Sequence, residues 1–328
     1  MKRAGQLLVL GTKPLCAESQ LELQDDLLTP VSGFFVRNNF PIPPAPVRLT
    51  VGGAVARPMA LTADDLMQFP RRYLTTTLEC AGNGRAFMGP PVPGEPWRLG
   101  AVSTAEWHGV SLADVLERAE VNAAAVEILF EGADGFARSL TVKEAFHPDT
   151  LLAERMNGER LTAEHGAPLR LLVPGWYGMA SVKWLSSITA RRTPFRGHFQ
   201  TERYVIGDRG VREMRVRALI LEPADGATVQ RGSQMIRGLA WTGTGHILAV
   251  EVSDDGGTSW RTATLIDRPR EYGWLRWECD WRPGRRGSTT LLARASDSAG
   301  NRQPLEPVWN ELGYCNNAAV PRQVEVQG

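Results

Sequence analysis

Apolar and polar positions repeat with two different periods along this chain, and the changes of period mark its elements. Val47–Gly53 suits a short strand, and Ala125–Gly132 alternates as a strand that runs into the turn Ala133-Asp134-Gly135. Helical spacing predicts a helix over Leu61–Met67, with Thr62 as N-cap, Asp65 three residues on, and an end before Pro70. A second helix is predicted over Ser111–Ala119, with Ser111 as cap and Asp114 its partner, and a third, short one over Val142–Phe146. Before Val47, residues 1 to about 45 read as an irregular segment, because Pro41, Pro43, Pro44 and Pro46 oppose helix and central strand alike. Thr75–Glu79 is a strand that ends at Cys80, where Gly82 and Gly84 turn the chain. Leu169–Val173 is an apolar strand, followed by a Gly-rich turn and a second strand start near Val182.

The pattern changes near Gly207–Gly210. From Val216 onward it predicts an all-β module of short strands with turn signals at regular spacing. Within it Ala249–Trp260 reads as a hairpin with Asp255-Gly256 as the primed turn or its near neighbour, and Trp274, Trp277 and Trp281 as the core of a sandwich. The fold class expected is α+β: a mixed α/β domain over residues 1–210 and an all-β sandwich over residues 211–328.

Composition narrows the partners. A chain of 328 residues, 43% hydrophobic and 22% charged, has room for two globular cores. A net charge of +1 makes no case for nucleic acid or membrane, so a basic site here must be local, as in a pocket for an anion. Cys16, Cys80, Cys279 and Cys315 form no CxxC pair, no zinc spacing and no CxxCH haem attachment, and their scatter fits a reducing compartment at least as well as two disulfides. The apolar run Leu7–Leu10 is too short to span a bilayer, and Lys2-Arg3-Ala4-Gly5 is not a twin-arginine leader. A cytoplasmic location is expected; a periplasmic one stays open if a leader has been removed.

Cys80 is the candidate metal ligand: a thiol at a strand end, with Arg85 nearby to favour the thiolate. A lone cysteine is more often a small buried hydrophobe, and the residues alone leave both readings open. The same holds for Arg37, a cation closing the run Phe34-Phe35-Val36, and for Trp97, Asp134 and His165, which core and turn roles would equally explain. In the Gly-rich turn backbone N–H groups can approach an anion closely, with Arg170 and Lys183 supplying charge.

Four segments in order resemble the sulfite oxidase family of molybdenum enzymes: Phe34–Pro41, the C-A-G-N-x-R run Cys80–Arg85, the block from His165-Gly166 to Leu185, and Trp309-Asn310 with Asn316-Asn317-Ala318. The resemblance implies a molybdenum–pyranopterin dithiolene cofactor ligated by Cys80, and no haem. It implies cofactor contacts from Phe35, Val36, Arg37, Asn38, Asn39, Asp134, His165, Arg170, Ser181, Val182 and Lys183. It also implies a substrate pocket in which Arg37 and Arg85 hold a small oxyanion, Trp97 lines the wall and Tyr204 points its hydroxyl at the metal oxo group. The second domain resembles the family's immunoglobulin-like dimerisation domain, which implies a homodimer.

The activity implied is oxidation of sulfite to sulfate, with electrons leaving to an external acceptor such as a cytochrome. Nitrate reduction, or another small-oxyanion oxo transfer, is the alternative within the family, and a non-enzymatic binding or adhesion module the alternative outside it. Two positions depart from the family pattern. Leu312, in Trp309-Asn310-Glu311-Leu312-Gly313, stands where sulfite-oxidising members with a third pocket arginine carry it, and losing one charge-assisted bond weakens anion binding by about 1.5–3 kcal/mol. Asn39 stands where many members have His.

Overall fold

Arg71–Glu79, the strand that delivers Cys80, pairs antiparallel with Val102–Ser111 along its whole length, from Arg71 opposite Val110 to Glu79 opposite Val102. The computed structural model describes residues 7–21, 24 and 26–328, so the expectation about a leader at residues 1–6 lies outside the described residues. The sheet continues from Val102–Ser111 to Leu151–Met156, which also pairs with Arg170–Leu172. A second, mixed sheet runs Met59–Leu61, Leu49–Gly53, Leu185–Arg191, Glu127–Gly132, Ala137–Thr141; its one parallel pairing joins Leu49–Gly53 to Leu185–Arg191. Leu112–Ala119 buries Leu112, Val115, Leu116 and Ala119, the face that i, i+3, i+4 spacing assigns to the core.

The caps show how far local sequence carries. Thr62 and Asp65 close a capping box on Ala63–Leu66: the Asp65 amide donates to Thr62 Oγ1 at 3.3 Å and the Thr62 amide to Asp65 Oδ2 at 2.8 Å. Ser111 occupies the expected N-cap but its hydroxyl caps nothing. The amide of Leu112 donates instead to the Thr150 carbonyl at 2.9 Å, so the neighbouring segment takes up a donor that a cap would have eased. The N-terminal segment is not irregular throughout: Leu7–Thr12, Leu15–Ser19 and Val36–Arg37 form a three-stranded antiparallel sheet. The prolines that oppose pairing begin only at Pro41, beyond this sheet.

The second domain packs a four-stranded sheet of Arg217–Glu222, Gln234–Trp241, Leu275–Trp281 and Thr264–Leu265 against a five-stranded one built on Ile247–Ser253, Gly287–Asp297 and Arg322–Gln327. Trp277 and Trp281 lie in its core with Ile236, Val250 and Leu291. Trp274 does not. Its indole belongs to the core of the first domain, donating to the Leu27 carbonyl at 2.7 Å, while its amide donates to Thr77 Oγ1 at 2.8 Å. The expected hairpin pairs only Glu251 with Thr262 and Val252 with Arg261, leaving residues 254–260 as a loop and not a two-residue primed turn. Asp255 organises that loop by accepting the Ser259 amide at 2.9 Å.

The two domains meet on the cysteine strand. Glu79, beside Cys80, is buried and accepts Arg217 NH1 at 3.2 Å, Trp241 Nε1 at 2.9 Å and Asn83 Nδ2 at 2.9 Å. Further along, the Thr77 amide donates to the Tyr272 carbonyl at 2.7 Å, the Cys315 amide to Ala81 O at 2.8 Å and Asn316 Nδ2 to Gly84 O at 2.9 Å. Arg217 Nε and NH2 have no partner, so the pair is tightly held yet costly to bury. Arg217→Met, which strands the carboxylate, is expected to destabilise the protein by about 3–5 kcal/mol in urea unfolding. The double variant Glu79→Leu/Arg217→Met is expected to lose less; a double variant no more stable than the single would show that the stranded charge is not the cause.

Candidate active site

The turn that presents Cys80 is fixed by backbone bonds: its amide donates to Ala101 O at 2.8 Å and its carbonyl accepts the Asn83 amide at 2.9 Å. Gly84 then takes φ 85°, a conformation that only glycine adopts without strain, and the strand ends. The Cys80 side chain, nearly buried, opens into an inner cavity also lined by Phe35, Arg37, Asn38, Asn39, Asp134, His165, Arg170, Ser181, Val182, Lys183 and Tyr204. Twelve of the fifteen residues expected at the site therefore share one cavity. Lys183 Nζ donates to Asn38 Oδ1 and Arg37 NH1 to the Asn38 carbonyl at this cavity, whose volume is about 70 Å³.

Three expected residues lie elsewhere. Val36 alternates away between Phe35 and Arg37, paired with Ala17, and lines a separate surface groove and not the inner cavity. Trp97 lines neither cavity: its indole is fully buried in a core cluster with Phe34, Leu78 and Trp107, and its Nε1 has no partner there. Arg85 belongs to an adjoining outer cavity of about 250 Å³, which it shares with Arg37, Asn39, Tyr204, Phe199, Leu312, Tyr314 and Glu95.

Arg85 is pinned, donating from Nε to the Leu312 carbonyl at 3.0 Å and from NH1 to the Glu95 carbonyl at 2.8 Å, with its guanidinium 5.3 Å from the Tyr314 ring centre. Arg37 reaches both cavities and donates from NH2 to Asn39 Oδ1 at 2.8 Å; Asn39 Nδ2 lies 3.4 Å from the Tyr204 hydroxyl. Residues missed by sequence reasoning include Phe34, Met179 and Trp184 of the inner cavity and Glu95 and Tyr314 of the outer. Phe34 and Trp184 each adjoin an expected residue. Glu95 and Tyr314 carried no local signal, since more than 200 residues separate them in the chain.

The deep end of the inner cavity is a cluster of bases. Arg170 donates from NH1 to His165 O and from NH2 to Ser181 O, both at 3.1 Å, while Lys183 Nζ donates to Glu164 O at 2.8 Å. Ser181 Oγ accepts the Val173 amide at 3.0 Å. Burial lowers the pKa of Arg170 to about 9; burial, then Arg170 and Lys183, push His165 down to about 3; burial and Arg170 depress Lys183 strongly. Asp134, the acid on this cavity, accepts the Phe136 amide at 3.1 Å and is pushed up by burial. Asn38 Nδ2 and Arg170 Nε are buried donors without partners. Crowded cations and idle donors are what an anionic, hydrogen-bond-accepting group such as a phosphate would relieve.

Around Cys80 the expected thiolate is not favoured. Burial is the largest influence and raises its pKa, outweighing Arg37 and then Arg85, because desolvation penalises the charged form. Among the described residues no three His, Cys, Asp or Glu side chains converge as a metal site, so a metal at Cys80 needs further ligands from a cofactor of its own. The single soft sulfur, the basic cluster and the idle donors fit a molybdopterin carrying metal at one end and phosphate at the other.

Comparison with known proteins agrees with this arrangement. Residues 38–199 match the oxidoreductase molybdopterin binding domain, and residues 208–326 the Mo-co oxidoreductase dimerisation domain. The chain is 36% identical to human mitochondrial sulfite oxidase over 95% of its own length and 64% of that protein, so it spans less than two thirds of that relative. It is 32% identical to Arabidopsis thaliana sulfite oxidase over 96% of its length and 93% of that protein. Among solved structures it superposes on the sulfane dehydrogenase SoxCD from Paracoccus pantotrophus with a TM-score of 0.87 and 28% identity, covering 95% of this chain and 84% of that one.

A pH dependence follows from His165. Its pKa of about 3 in the fold lies below the unfolded value near 6.5, so the neutral ring favours the fold above pH 6.5 and that contribution is lost as pH falls toward 3. Cofactor-free protein is expected to lose up to about 1.4 kcal/mol per pH unit through this group. His165→Gln should flatten the loss between pH 7 and pH 4 in urea unfolding; an unchanged slope would show that the ring is not held neutral.

Proposed function

This chain belongs to the sulfite oxidase family of molybdopterin oxidoreductases, and from that premise we propose that it oxidises sulfite to sulfate and passes the electrons to an external acceptor such as a cytochrome. The observation that carries the proposal is the junction of the two cavities, where Arg37 borders both, Cys80 faces the inner one and Arg85 the outer. The overall change is sulfite plus water to sulfate, two protons and two electrons. When bound, the molybdenum cofactor supplies two-electron oxygen-atom transfer. The protein's share is binding, orientation and charge.

Cys80 offers the thiolate ligand, whose proton the metal would displace. His165, Arg170, Lys183 and Asn38 would hold the phosphate, and Asp134 would accept hydrogen bonds from the pterin. Arg37 and Arg85 would grip the oxyanion, since guanidinium forks bind oxyanions by paired charge-assisted bonds. Their own carbonyl and amide acceptors hold both forks in place before substrate arrives, so little ordering remains to be done on binding. Tyr204, beside Asn39 at the same junction, can donate its hydroxyl to the substrate. Trp97, away from both cavities, would act only by supporting this wall.

One observation favours nitrate reduction as the second reading: at position 312 the outer cavity receives the apolar Leu312 and not an arginine. The dimerisation-domain match over residues 208–326 supports a homodimer. Cys80→Ser is expected to keep the fold and lose molybdenum–thiolate coordination by X-ray absorption; unchanged coordination would remove Cys80 from the metal. Arg37→Met is expected to lower sulfite kcat/KM about 10- to 100-fold, the loss of one or more charge-assisted bonds. Sulfite assays with ferricyanide, run beside nitrate assays with reduced viologen, decide between the readings: activity with nitrate alone would reverse the assignment.

A further inference from the structure

Resting on sulfur oxidation at this site, we infer that the outer cavity selects small organic sulfinates, R–SO2⁻, alongside or ahead of sulfite. At about 250 Å³ it offers far more room than a four-atom oxyanion needs, a single water claiming about 30 Å³ of liquid. Of its three guanidiniums, those of Arg37 and Arg85 are held by protein acceptors and cannot both swing to follow a ligand around the cavity. His198, Arg203 and Glu95 make part of the remaining lining polar, and Leu312 with three aromatic rings makes the rest. The Phe199 and Tyr204 rings lie 6.3 Å apart, Tyr204 stacks on Tyr314 at 5.3 Å and 22°, and Arg85 lies over the Tyr314 ring. Leu312 adjoins Arg85, whose Nε its carbonyl accepts.

An anion gripped by two forks turns its third substituent toward that wall. In sulfite the substituent is an oxygen, which forfeits a hydrogen bond where it meets Leu312 or the Phe199 ring. In a sulfinate it is carbon, which such a wall accommodates. Both keep the sulfur lone pair that is oxidised. The reaction is R–SO2⁻ + H2O → R–SO3⁻ + 2 H⁺ + 2 e⁻: one S–O bond forms, the oxygen derives from water, both its protons are released, and two one-electron acceptors such as ferricyanide are reduced.

The test uses the molybdenum-loaded protein with sulfite, methanesulfinate and ethanesulfinate under ferricyanide, the sulfonate product being identified by mass spectrometry. Sulfinate kcat/KM within tenfold of sulfite or above it is expected, with ethanesulfinate about three- to fourfold better than methanesulfinate for its extra buried methylene. Leu312→Arg should lower sulfinate kcat/KM at least tenfold while lowering the KM for sulfite. Calorimetric binding of unreactive methanesulfonate and ethanesulfonate gives a readout apart from turnover: the same three- to fourfold gain is expected in wild type and should vanish in Leu312→Arg. Sulfite oxidation with sulfinates more than tenfold poorer, or equal affinity for the two sulfonates, overturns this inference and leaves the sulfite assignment standing. Turnover of neither substrate overturns both.

Discussion

A buried carboxylate holds this molecule together at its most consequential point. Glu79 immediately precedes the candidate metal ligand, and three donors converge on its two oxygens, two of them from the second domain. A carboxylate so placed is tolerable only while every partner stays in position. Arg217 and Trp241 can keep their positions only if the sandwich is docked. The strand that carries Cys80 is therefore ordered from outside its own domain, and the Tyr272, Cys315 and Asn316 contacts extend the same grip along the strand and the turn that follows.

From that strand the site divides into two chemical regions. The inner cavity concentrates bases whose charged forms burial disfavours, a high-energy arrangement that an anionic cofactor would relieve. The outer cavity sets fixed guanidiniums against rings and an aliphatic side chain. Arg37 borders both, and through Asn39 it is coupled to Tyr204. Binding the cofactor and choosing the substrate thus share Arg37, Asn39 and Tyr204 and otherwise rest on different residues.

What could be read from sequence was what short-range chemistry determines. The Thr62–Asp65 box, the Gly-terminated cysteine strand and the basic Gly-rich turn all declare themselves within a few residues. Strand alternation alone already excluded the Val36 side chain from a wall formed by Phe35 and Arg37, although the family resemblance had included it. Other features depend on distance in the chain or on burial, which no local pattern encodes. Glu79 meets Arg217 and Trp241 from the other domain, Trp274 looks like any sandwich tryptophan until its docking is known, and Trp97 gives no sign of being sealed in core. The effect of Arg85 on Cys80 was overestimated because a neighbouring charge is visible in sequence and desolvation is not. The N-terminal sheet was obscured by prolines that lie beyond it.

The grip on the cysteine turn also has an order in time. Cys80, Asn83 and Gly84 emerge early in synthesis, whereas Asn316, which caps the Gly84 carbonyl, comes near the end of the chain. At about 5–20 residues per second, the first domain waits on the order of tens of seconds before the last of these contacts can form. Through the first half of that interval Glu79 has neither Arg217 nor Trp241, and until its end the wall bearing Leu312 and Tyr314 is incomplete. The lining of the inner cavity is complete once Tyr204 has been made, so the pocket for the cofactor precedes the wall that faces the substrate.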